Sequence, residues 1–324
     1  MKWNLFFIYG IASTFILAVS IGIMYASTGF SNFNDIRYIF SFLSKQDNLA
    51  LIASGLMLLS FCMKIGVFLC HGWTCEVLRE KTSTAPLILC ILRFSLALGF
   101  YKLLTSVLYH IDITEIIILL ASISVIFGGV LLIFQSDLRK IIAYLAVGHA
   151  GILLLCCACK TYTAMRSLIY ILLSDIISLG GILLFLTTIK KSRNRNLERL
   201  QDLCSLSKWN ARVAVSLSMF WLSLFGLLPL VGFWGKYYIC LALLEKHFVF
   251  PTIALIFFLL AGLICAAKLL DAIWFRESNE NPLFVTDNDT VIKFINLIPY
   301  FTIIAIPLAQ KIAYLMRVDL YFIR

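Results

Sequence analysis

One apolar run reads Leu227-Leu228-Pro229-Leu230-Val231-Gly232-Phe233-Trp234-Gly235-Lys236-Tyr237-Tyr238, in which a proline and two glycines interrupt an otherwise helical stretch. A lysine at mid-bilayer depth costs about 2.5 to 3.5 kcal/mol on insertion scales, so Lys236 is tolerable only where it faces a wet or polar interior. Irregular backbone at this depth must be buried in protein or line a cavity. The run therefore predicts a broken membrane helix beside an ion path, with Pro229, Gly232 and Gly235 at the break.

The composition places this run in a membrane protein. Hydrophobic residues make up 61% of the 324 residues and charged residues 14%, whereas charged residues are about a quarter of a soluble domain. Apolar runs that can cross about 30 Å of hydrocarbon predict about nine helices, near residues 4–26, 48–72, 86–108, 114–135, 139–158, 163–188, 211–245 (broken near 228–235), 250–275 and 291–316. We therefore expect an all-α polytopic membrane protein, with residues 1–324 as a single transmembrane domain.

Most of the formal net charge of +10 is explained by how Lys and Arg are distributed between the two sides of the membrane. If the N-terminus lies on the cytoplasmic or matrix side, that side collects roughly twice as many Lys and Arg residues as the other, as the positive-inside rule requires. The C-terminus then lies opposite. The most basic loop, Lys190 to Arg199, has no interleaved aromatic residues, so the expected partner is anionic lipid such as cardiolipin, or an acidic neighbouring subunit, and no nucleic acid.

The chain has ten cysteines, nearly all inside apolar runs, where cysteine is a common small buried hydrophobe. It has no CxxC motif accompanied by a second ligand pair, as a zinc site or an iron–sulfur cluster would need. A glycine-rich phosphate loop and a dinucleotide fingerprint are equally absent from the sequence. We therefore expect no metal, cofactor or nucleotide in this chain.

Several other ionisable residues fall inside predicted spans, where such residues mark transport pathways by default. With Lys236, the candidate proton-transfer residues are Lys64, His71, Arg93, His149 and Asp175. Lys64 lies mid-span, and His71 follows two helical turns later on the same predicted face. His149 is suited to a relay because the intrinsic pKa of histidine lies near neutral.

Structural readings compete with these functional ones. The Arg93 side chain could reach the interface, and His149 could simply hydrogen-bond across a helix interface. Lys268 and Asp271, three residues apart in the eighth span, could form an accessory ion pair of purely structural value.

Three segments resemble one family. Lys64-x6-His71-x-Trp73 followed by Glu76-Val77 is similar to "GFKxxxxPFHxWxPDVY", Asp137-Leu138-Arg139-Lys140-Ile141-Ile142-Ala143-Tyr144 with Gly148-His149-Ala150-Gly151 to "D/NxKRxxAYSSxxHxG", and Leu228 to Tyr238 to "PPLAGFFGKFY". These motifs, in this order, are those of the antiporter-like subunit of respiratory complex I, called subunit N in bacteria and NADH dehydrogenase subunit 2 in mitochondria. The resemblance implies a Mrp-antiporter-like fold.

The resemblance covers about residues 2 to 276 and the sixth to fourteenth of the family's fourteen helices. In the family, a glutamate of the fifth helix pairs with the lysine that Lys64 matches. We therefore expect an N-terminally truncated fold and a split subunit, in which a separate chain supplies the first five helices and the glutamate.

This sequence also departs from the family pattern. The family's third-span lysine aligns with Leu96, which leaves Arg93, one turn earlier, as its stand-in. Arginine is essentially always protonated, so Arg93 could anchor charge but hardly release a proton. Leu69 and Leu228 stand where the family has prolines.

The resemblance implies a proton-translocating subunit of NADH:ubiquinone oxidoreductase, driven by quinone reduction elsewhere in the complex. Lys64, Arg93, His149 and Lys236 would form its polar axis at mid-membrane. FMN, iron–sulfur clusters and quinone would belong to other subunits, and the partners would be other membrane-arm subunits. The expected location is the mitochondrial inner membrane, with the bacterial plasma membrane as the alternative.

Two rival functions stay open. One is a subunit of a Mrp-type cation/proton antiporter, which shares the broken helix and its lysines. The other is a structural membrane-arm subunit that does not pump, which the loss of the third-span lysine would permit. Na⁺ dependence of transport distinguishes the first, and the effect of replacing Lys64 or Lys236 distinguishes the second.

Overall fold

The chain folds into helices because backbone in hydrocarbon must satisfy its hydrogen bonds internally. A computed structural model describes residues 4–30, 32, 35–36, 38–39, 48–79, 95–104, 113–191, 195–276, 284–286, 296–297, 300 and 302–314. Its main helices are α1 (Asn4–Thr28), α2 (Asn48–Ile65), α3 (Gly72–Arg79), α4 (Ser95–Leu104), α5 (Thr114–Phe134), α6 (Leu138–Cys159), α7 (Tyr162–Thr188), α8 (Ala211–Phe225), α9 (Val231–Glu245), α10 (Val249–Leu270) and α11 (Thr302–Tyr314). Shorter turns of helix lie at Phe68–Cys70, Leu200–Leu203, Leu206–Trp209 and Asp271–Phe275.

Six of the described helices are long and apolar enough to cross a bilayer: α1, α2, α5, α6, α7, and α10 with the turn that follows it. Three shorter apolar helices, α4, α8 and α11, fall inside the remaining predicted spans. The seventh predicted span is indeed split, into α8 and α9. The prediction of an all-α polytopic membrane protein with a broken helix is confirmed.

Helix α6 forms the centre of the bundle and is buried along nearly its whole length. It packs closely on α5 because small residues face each other: a Cβ on Gly128 would lie 2.7 Å from the Gly148 nitrogen. Ser124 Oγ donates a hydrogen bond of 3.0 Å to the Val147 carbonyl across the same interface. Small residues at membrane-helix interfaces allow such close backbone approach, so α5 and α6 form a tight pair.

The remaining helices surround this pair. Helix α7 packs against α8 and α9, while α10 packs against α5. Helix α1 packs against α2, and Ser60 Oγ donates a 2.7 Å hydrogen bond to the Ser13 carbonyl. Most of α1 is nevertheless exposed, including the Phe15 side chain at 70%. Helix α1 therefore lies at the edge of the described bundle, whereas α6 and α7 are mostly buried.

Three short strands occur outside the helices in the part of the chain that the structure describes, a feature that the sequence did not predict. Strands β1 (Ile189–Lys191), β2 (Arg195–Asn196) and β3 (Phe284–Thr286) form an antiparallel sheet in the order β2-β1-β3. The first two lie in the basic loop between α7 and α8, so part of that loop is a hairpin. An isolated bridge also pairs Asp137 with Arg199, which ties the start of α6 to the end of the loop.

Candidate functional site

Lys64 lies in the last turn of α2, not in the middle of a continuous helix as the sequence predicted. The helix ends at Ile65, and Gly66 adopts a φ of +80°, a left-handed conformation that favours glycine and ends helices. A Cβ at Gly66 would also lie 2.2 Å from Thr74 Cγ2. Thus the second predicted span is broken directly after its lysine, although it has no proline there.

The Lys64 side chain is half-buried and lines an apolar cavity of about 230 Å³. Residues of α1, α2, α3 and α4 surround this cavity: Phe6, Tyr9, Met63, Trp73 and Leu96. The carbonyl of Met63, in the same last helical turn, accepts a 2.8 Å hydrogen bond from Trp73 Nε1. The indole thus bonds a carbonyl in the last turn of α2, where the helix leaves carbonyls without intrahelical partners.

His71 does not share a helical face with Lys64, so that prediction is wrong. The break at Gly66 separates the two residues, and His71 follows the short helix Phe68–Cys70. Its Nδ1 lies within hydrogen-bond reach of the Phe68 carbonyl, and its ring lies 5.0 Å from the ring of Phe127, between centroids. Local backbone and aromatic contacts therefore account for the position of His71.

The break before Lys236 begins earlier than the sequence predicted. Helix α8 ends at Phe225, Gly226 caps it with a φ of +84°, and α9 begins at Val231. Pro229 lies within this break, and the Leu228–Pro229 peptide bond is cis. The break thus occupies residues 226–230.

Gly232 and Gly235 lie inside α9, so their predicted place at the break is wrong. Both are instead sites of close packing, where a side chain would not fit. A Cβ on Gly232 would lie 1.8 Å from the Ser223 carbonyl oxygen, and one on Gly235 would lie 2.6 Å from a side-chain carbon of Ile171. The Gly235 carbonyl also accepts a 2.7 Å hydrogen bond from Ser167 Oγ. Because these glycines have no side chains, α9 can pack closely against α8 and α7.

Lys236 points back into the break. Its side chain is only 4% exposed, and its Nζ donates a 2.6 Å hydrogen bond to the Leu224 carbonyl. That carbonyl lies in the last turn of α8, where the helix leaves carbonyls without intrahelical partners. Lys236 Nζ also lies 5.6 Å from the centre of the Phe258 ring, within cation–π range. A buried amino group and a freed carbonyl therefore satisfy each other at the break.

His149 and Asp175 form a buried pair in the bundle interior. His149 Nδ1 lies 2.7 Å from Asp175 Oδ1, joining α6 to α7. Because a carboxylate only accepts hydrogen bonds, Nδ1 carries the hydrogen, and Nε2 of a neutral His149 is then a proton acceptor. Nε2 is buried and makes no hydrogen bond within the described part of the chain. The pair thus leaves one basic nitrogen free.

The His149–Asp175 pair and Lys236 belong to one centre. The Phe258 ring lies beside both: its centre is 5.6 Å from Lys236 Nζ, and the centroids of the Phe258 and His149 rings are 5.9 Å apart. Next to Asp175, Ser174 Oγ lies 3.3 Å from Ser223 Oγ of α8. Three of the predicted proton-transfer residues are therefore brought together, and we call His149, Asp175 and Lys236 the interior centre.

The other candidates are not part of this centre. Lys64 lies at the cavity between α1 and α2, and Arg93 falls outside the residues that the structure describes. Leu96, which stands where the family has a lysine, lines the Lys64 cavity. Of the polar axis predicted from Lys64, Arg93, His149 and Lys236, the structure therefore describes every member except Arg93.

The predicted ion pair between Lys268 and Asp271 is wrong. Lys268 Nζ donates a 2.7 Å hydrogen bond to the Ile133 carbonyl of α5, whereas Asp271 pairs with Arg276 Nε at 2.7 Å. The regular helix α10 gives way to a π-helical turn at Asp271, so the usual spacing of residues three apart does not hold here. Both side chains serve local structure near the end of α10.

Sequence reasoning missed several residues that shape the interior centre. Gly66 and Gly226 were not singled out, although a glycine after an apolar helical run is a recognisable stop signal. Phe258 gave no signal, because a phenylalanine in an apolar helix reads as ordinary packing. In the described residues, no group of three or more His, Cys, Asp or Glu side chains could hold a metal ion.

Known proteins resemble the chain both in sequence and in fold. Residues 4–264 match the family described as NADH:quinone oxidoreductase/Mrp antiporter, TM. NADH-quinone oxidoreductase subunit N of Chlorobium chlorochromatii (strain CaD3) is 28% identical over 264 residues, which cover 78% of this chain and 51% of that protein. The chain thus spans about half the length of this relative.

Solved structures share the fold at lower sequence identity. A chain of respiratory complex I from Thermus thermophilus with bound NADH gives a TM-score of 0.76 at 16% identity, covering 97% of this chain and 69% of that one. A chain of the Mrp complex from Dietzia sp. DQ12-45-1b gives 0.75 at 19% identity, covering 87% and 52%. The family resemblance read from three sequence motifs is confirmed: the chain belongs to the NADH:quinone oxidoreductase/Mrp antiporter transmembrane family.

Proposed function

We propose that the chain is a proton-translocating membrane-arm subunit of an NADH:quinone oxidoreductase, and that the interior centre holds the proton in transit. The observation that carries this proposal is Lys236, a buried amino group bonded to the freed carbonyl of a broken helix. Since an intramembrane lysine is costly unless it functions, and since Asp175 and His149 lie close by, proton transfer is the chemistry that best explains the arrangement.

Two opposing influences act on Lys236. Exclusion of water penalises its charged form, and the Asp175 carboxylate stabilises that form. Asp175 also bonds His149, so a change in the charge of His149 alters how strongly Asp175 holds the charge on Lys236. The three groups can thereby exchange a proton whenever the electrostatics on one side of the centre change.

We also propose a role for Lys64 at the edge of the described bundle. The cavity that it lines lies among α1, α2, α3 and α4, where a separate chain carrying a glutamate would complete an ion pair. That chain, other membrane-arm subunits and anionic lipid are the proposed partners, and the proposal treats the chain as one transmembrane domain. Flavin, iron–sulfur clusters and quinone would be held by other subunits, so the enzyme activity would belong to the complex.

The bacterial origin of the relatives supports a bacterial plasma membrane as the location. The mitochondrial inner membrane, predicted from composition, stays the second possibility. In either membrane the proposed orientation keeps the N-terminus on the basic side, as the positive-inside rule predicts.

A matched pair of lysine variants tests the proposed function. In the complex that contains this chain, Lys236→Met should abolish most NADH-driven proton uptake into inverted vesicles, measured by quenching of a pH-sensitive dye. Lys246→Met is the control, because Lys246 lies exposed at the end of the same helix and should leave proton uptake unchanged. Normal proton uptake with Lys236→Met, in a complex of normal subunit content, would instead support a structural subunit.

A Mrp-type antiporter subunit is the second candidate, because the matched family covers both classes and the fold resembles a Mrp complex. Such a subunit would couple proton movement to Na⁺. Replacing Na⁺ by choline in the same vesicle assay should have no effect on a complex I subunit, whereas loss of proton movement would favour the antiporter.

A further inference from the structure

Phe258 of α10 is the aromatic residue shared by both halves of the interior centre. Its ring lies 5.6 Å from Lys236 Nζ and 5.9 Å from the His149 ring, and its side chain is 1% exposed. Lys236 Nζ donates a hydrogen bond to the Leu224 carbonyl, while His149 Nε2 has no hydrogen-bond partner within the described residues. Lys236 Nζ and the His149 ring therefore lie against the same apolar ring, and no hydrogen bond joins Lys236 Nζ to His149 Nε2.

The space for this ring comes from Gly148, the residue before His149. A Cβ on Gly148 would lie 2.1 Å from Phe258 Cε2 and 2.5 Å from Cζ, closer than atoms can approach. Alanine at this position would therefore push the ring away. The sequence thus places the smallest residue where the ring of Phe258 must lie against α6.

We propose that Phe258 is a gate for proton transfer between Lys236 and His149. This inference rests on the proposed function of the interior centre. In the closed arrangement, the ring keeps water from bridging the two nitrogens. When the ring moves, water can enter, an N–H bond breaks at Nε2 of a protonated His149 and one forms at Nζ of a neutral Lys236, with no change of oxidation state.

The state of Lys236 can set the position of this gate. A charged amino group is attracted to the face of an aromatic ring, whereas a neutral amine lacks this attraction. Charged Lys236 therefore holds the ring in contact, and loss of its proton releases the ring. Passage of one proton would close the path behind it, which limits back-leakage through the centre.

The test measures passive proton leak through the complete complex in liposomes, with no NADH present. After an imposed pH step, Phe258→Leu should increase the decay rate of the gradient at least threefold, because leucine lacks the ring and its attraction to Lys236. Gly148→Ala should have the same effect by displacing the ring. Phe257→Leu is the control, since Phe257 lies on the same helix but packs against Gly129 of α5.

A double variant shows where the leak runs. Adding Lys236→Met to Phe258→Leu should return the leak to the unmodified rate, because the leak requires the lysine. A leak that persists in the double variant would overturn the gate, since the substitution would then have opened only a packing defect. If Phe258→Leu does not assemble, Gly148→Ala with and without Lys236→Met decides by the same criteria.

The gate and the proposed function can fail separately. If Phe258→Leu and Gly148→Ala both leave the leak unchanged while Lys236→Met abolishes NADH-driven pumping, the gate is wrong and the proposed function stands. If Lys236→Met leaves pumping intact, the proposed function fails, and the gate fails with it.

Discussion

At the scale of residues, the interior centre depends on which ionisable groups meet. The sequence identified His149, Asp175 and Lys236 as candidates because each interrupts an apolar run. It did not show that His149 bonds Asp175 at 2.7 Å or that Lys236 bonds the Leu224 carbonyl. Those contacts depend on the rotation of α6, α7 and α9 about their axes, which a uniformly apolar sequence does not fix.

Asp175→Asn tests the charge of the buried pair. Asparagine can still accept a hydrogen bond from His149 Nδ1 but carries no charge, so NADH-driven proton pumping should fall roughly tenfold, the kinetic equivalent of about 1.4 kcal/mol. The measurement is dye quenching per NADH oxidised in vesicles. Asp271→Asn is the control, because Asp271 pairs with Arg276 at the exposed end of α10; equal pumping in both variants would contradict a role for the Asp175 charge.

At the scale of elements, Lys64 and Lys236 both lie beside a break in a membrane helix, but their surroundings differ. Lys64 lies one residue before the end of α2, and Lys236 lies one turn and a half into α9, pointing back at the end of α8. The freed carbonyl is bonded by Trp73 in the first case and by Lys236 itself in the second. Only the second break therefore uses its own lysine to bond the carbonyl that it frees.

Gly232→Ala tests the close contact between α8 and α9. The new methyl group would lie 1.8 Å from the Ser223 carbonyl oxygen, so the helices must separate, at a cost of about 1–3 kcal/mol for overpacking of this kind. The thermal midpoint of the detergent-solubilised complex should fall, or less of the chain should be incorporated. Gly55→Ala should not have this effect, because a Cβ there meets nothing within 4 Å.

The sequence predicted the bounds of the long helices better than the breaks within the membrane spans. Helix bounds at 114–135 and 163–188 lie within one residue of α5 and α7, because long apolar runs between polar turns have clear limits. The break after Lys64 was missed, since a single glycine in an apolar run is compatible with a continuous helix. The short strands were missed because pairing between distant loops leaves no periodic signal in so few residues.

At the scale of the whole molecule, the two lysines lie in different settings. Lys236 is enclosed by α6 to α10, whereas Lys64 lies beside α1, whose outer surface is largely exposed. The family resemblance implies a glutamate partner for Lys64, and the companion chain proposed above would supply it on this side.

Photo-crosslinking tests this asymmetry in the assembled complex. A photoreactive amino acid in place of Lys64 should capture a second polypeptide, because its cavity is lined by α1, which lies at the exposed edge of the described bundle. The same amino acid in place of Lys236 should give only products within the chain, because that side chain is buried. Mass spectrometry of the products identifies the captured chain. Exclusively internal products from the Lys64 position would argue against a companion chain at this edge.

The hydrogen bond between Lys236 and the Leu224 carbonyl has a consequence for charge balance. The C-terminal end of a helix carries roughly half a negative elementary charge from its aligned peptide groups, and α8 ends beside this lysine. Unlike a carboxylate, that negative pole cannot be neutralised by protonation. The broken helix therefore gives the protein a permanent counter-ion made of backbone alone, which remains in place throughout any cycle of proton uptake and release.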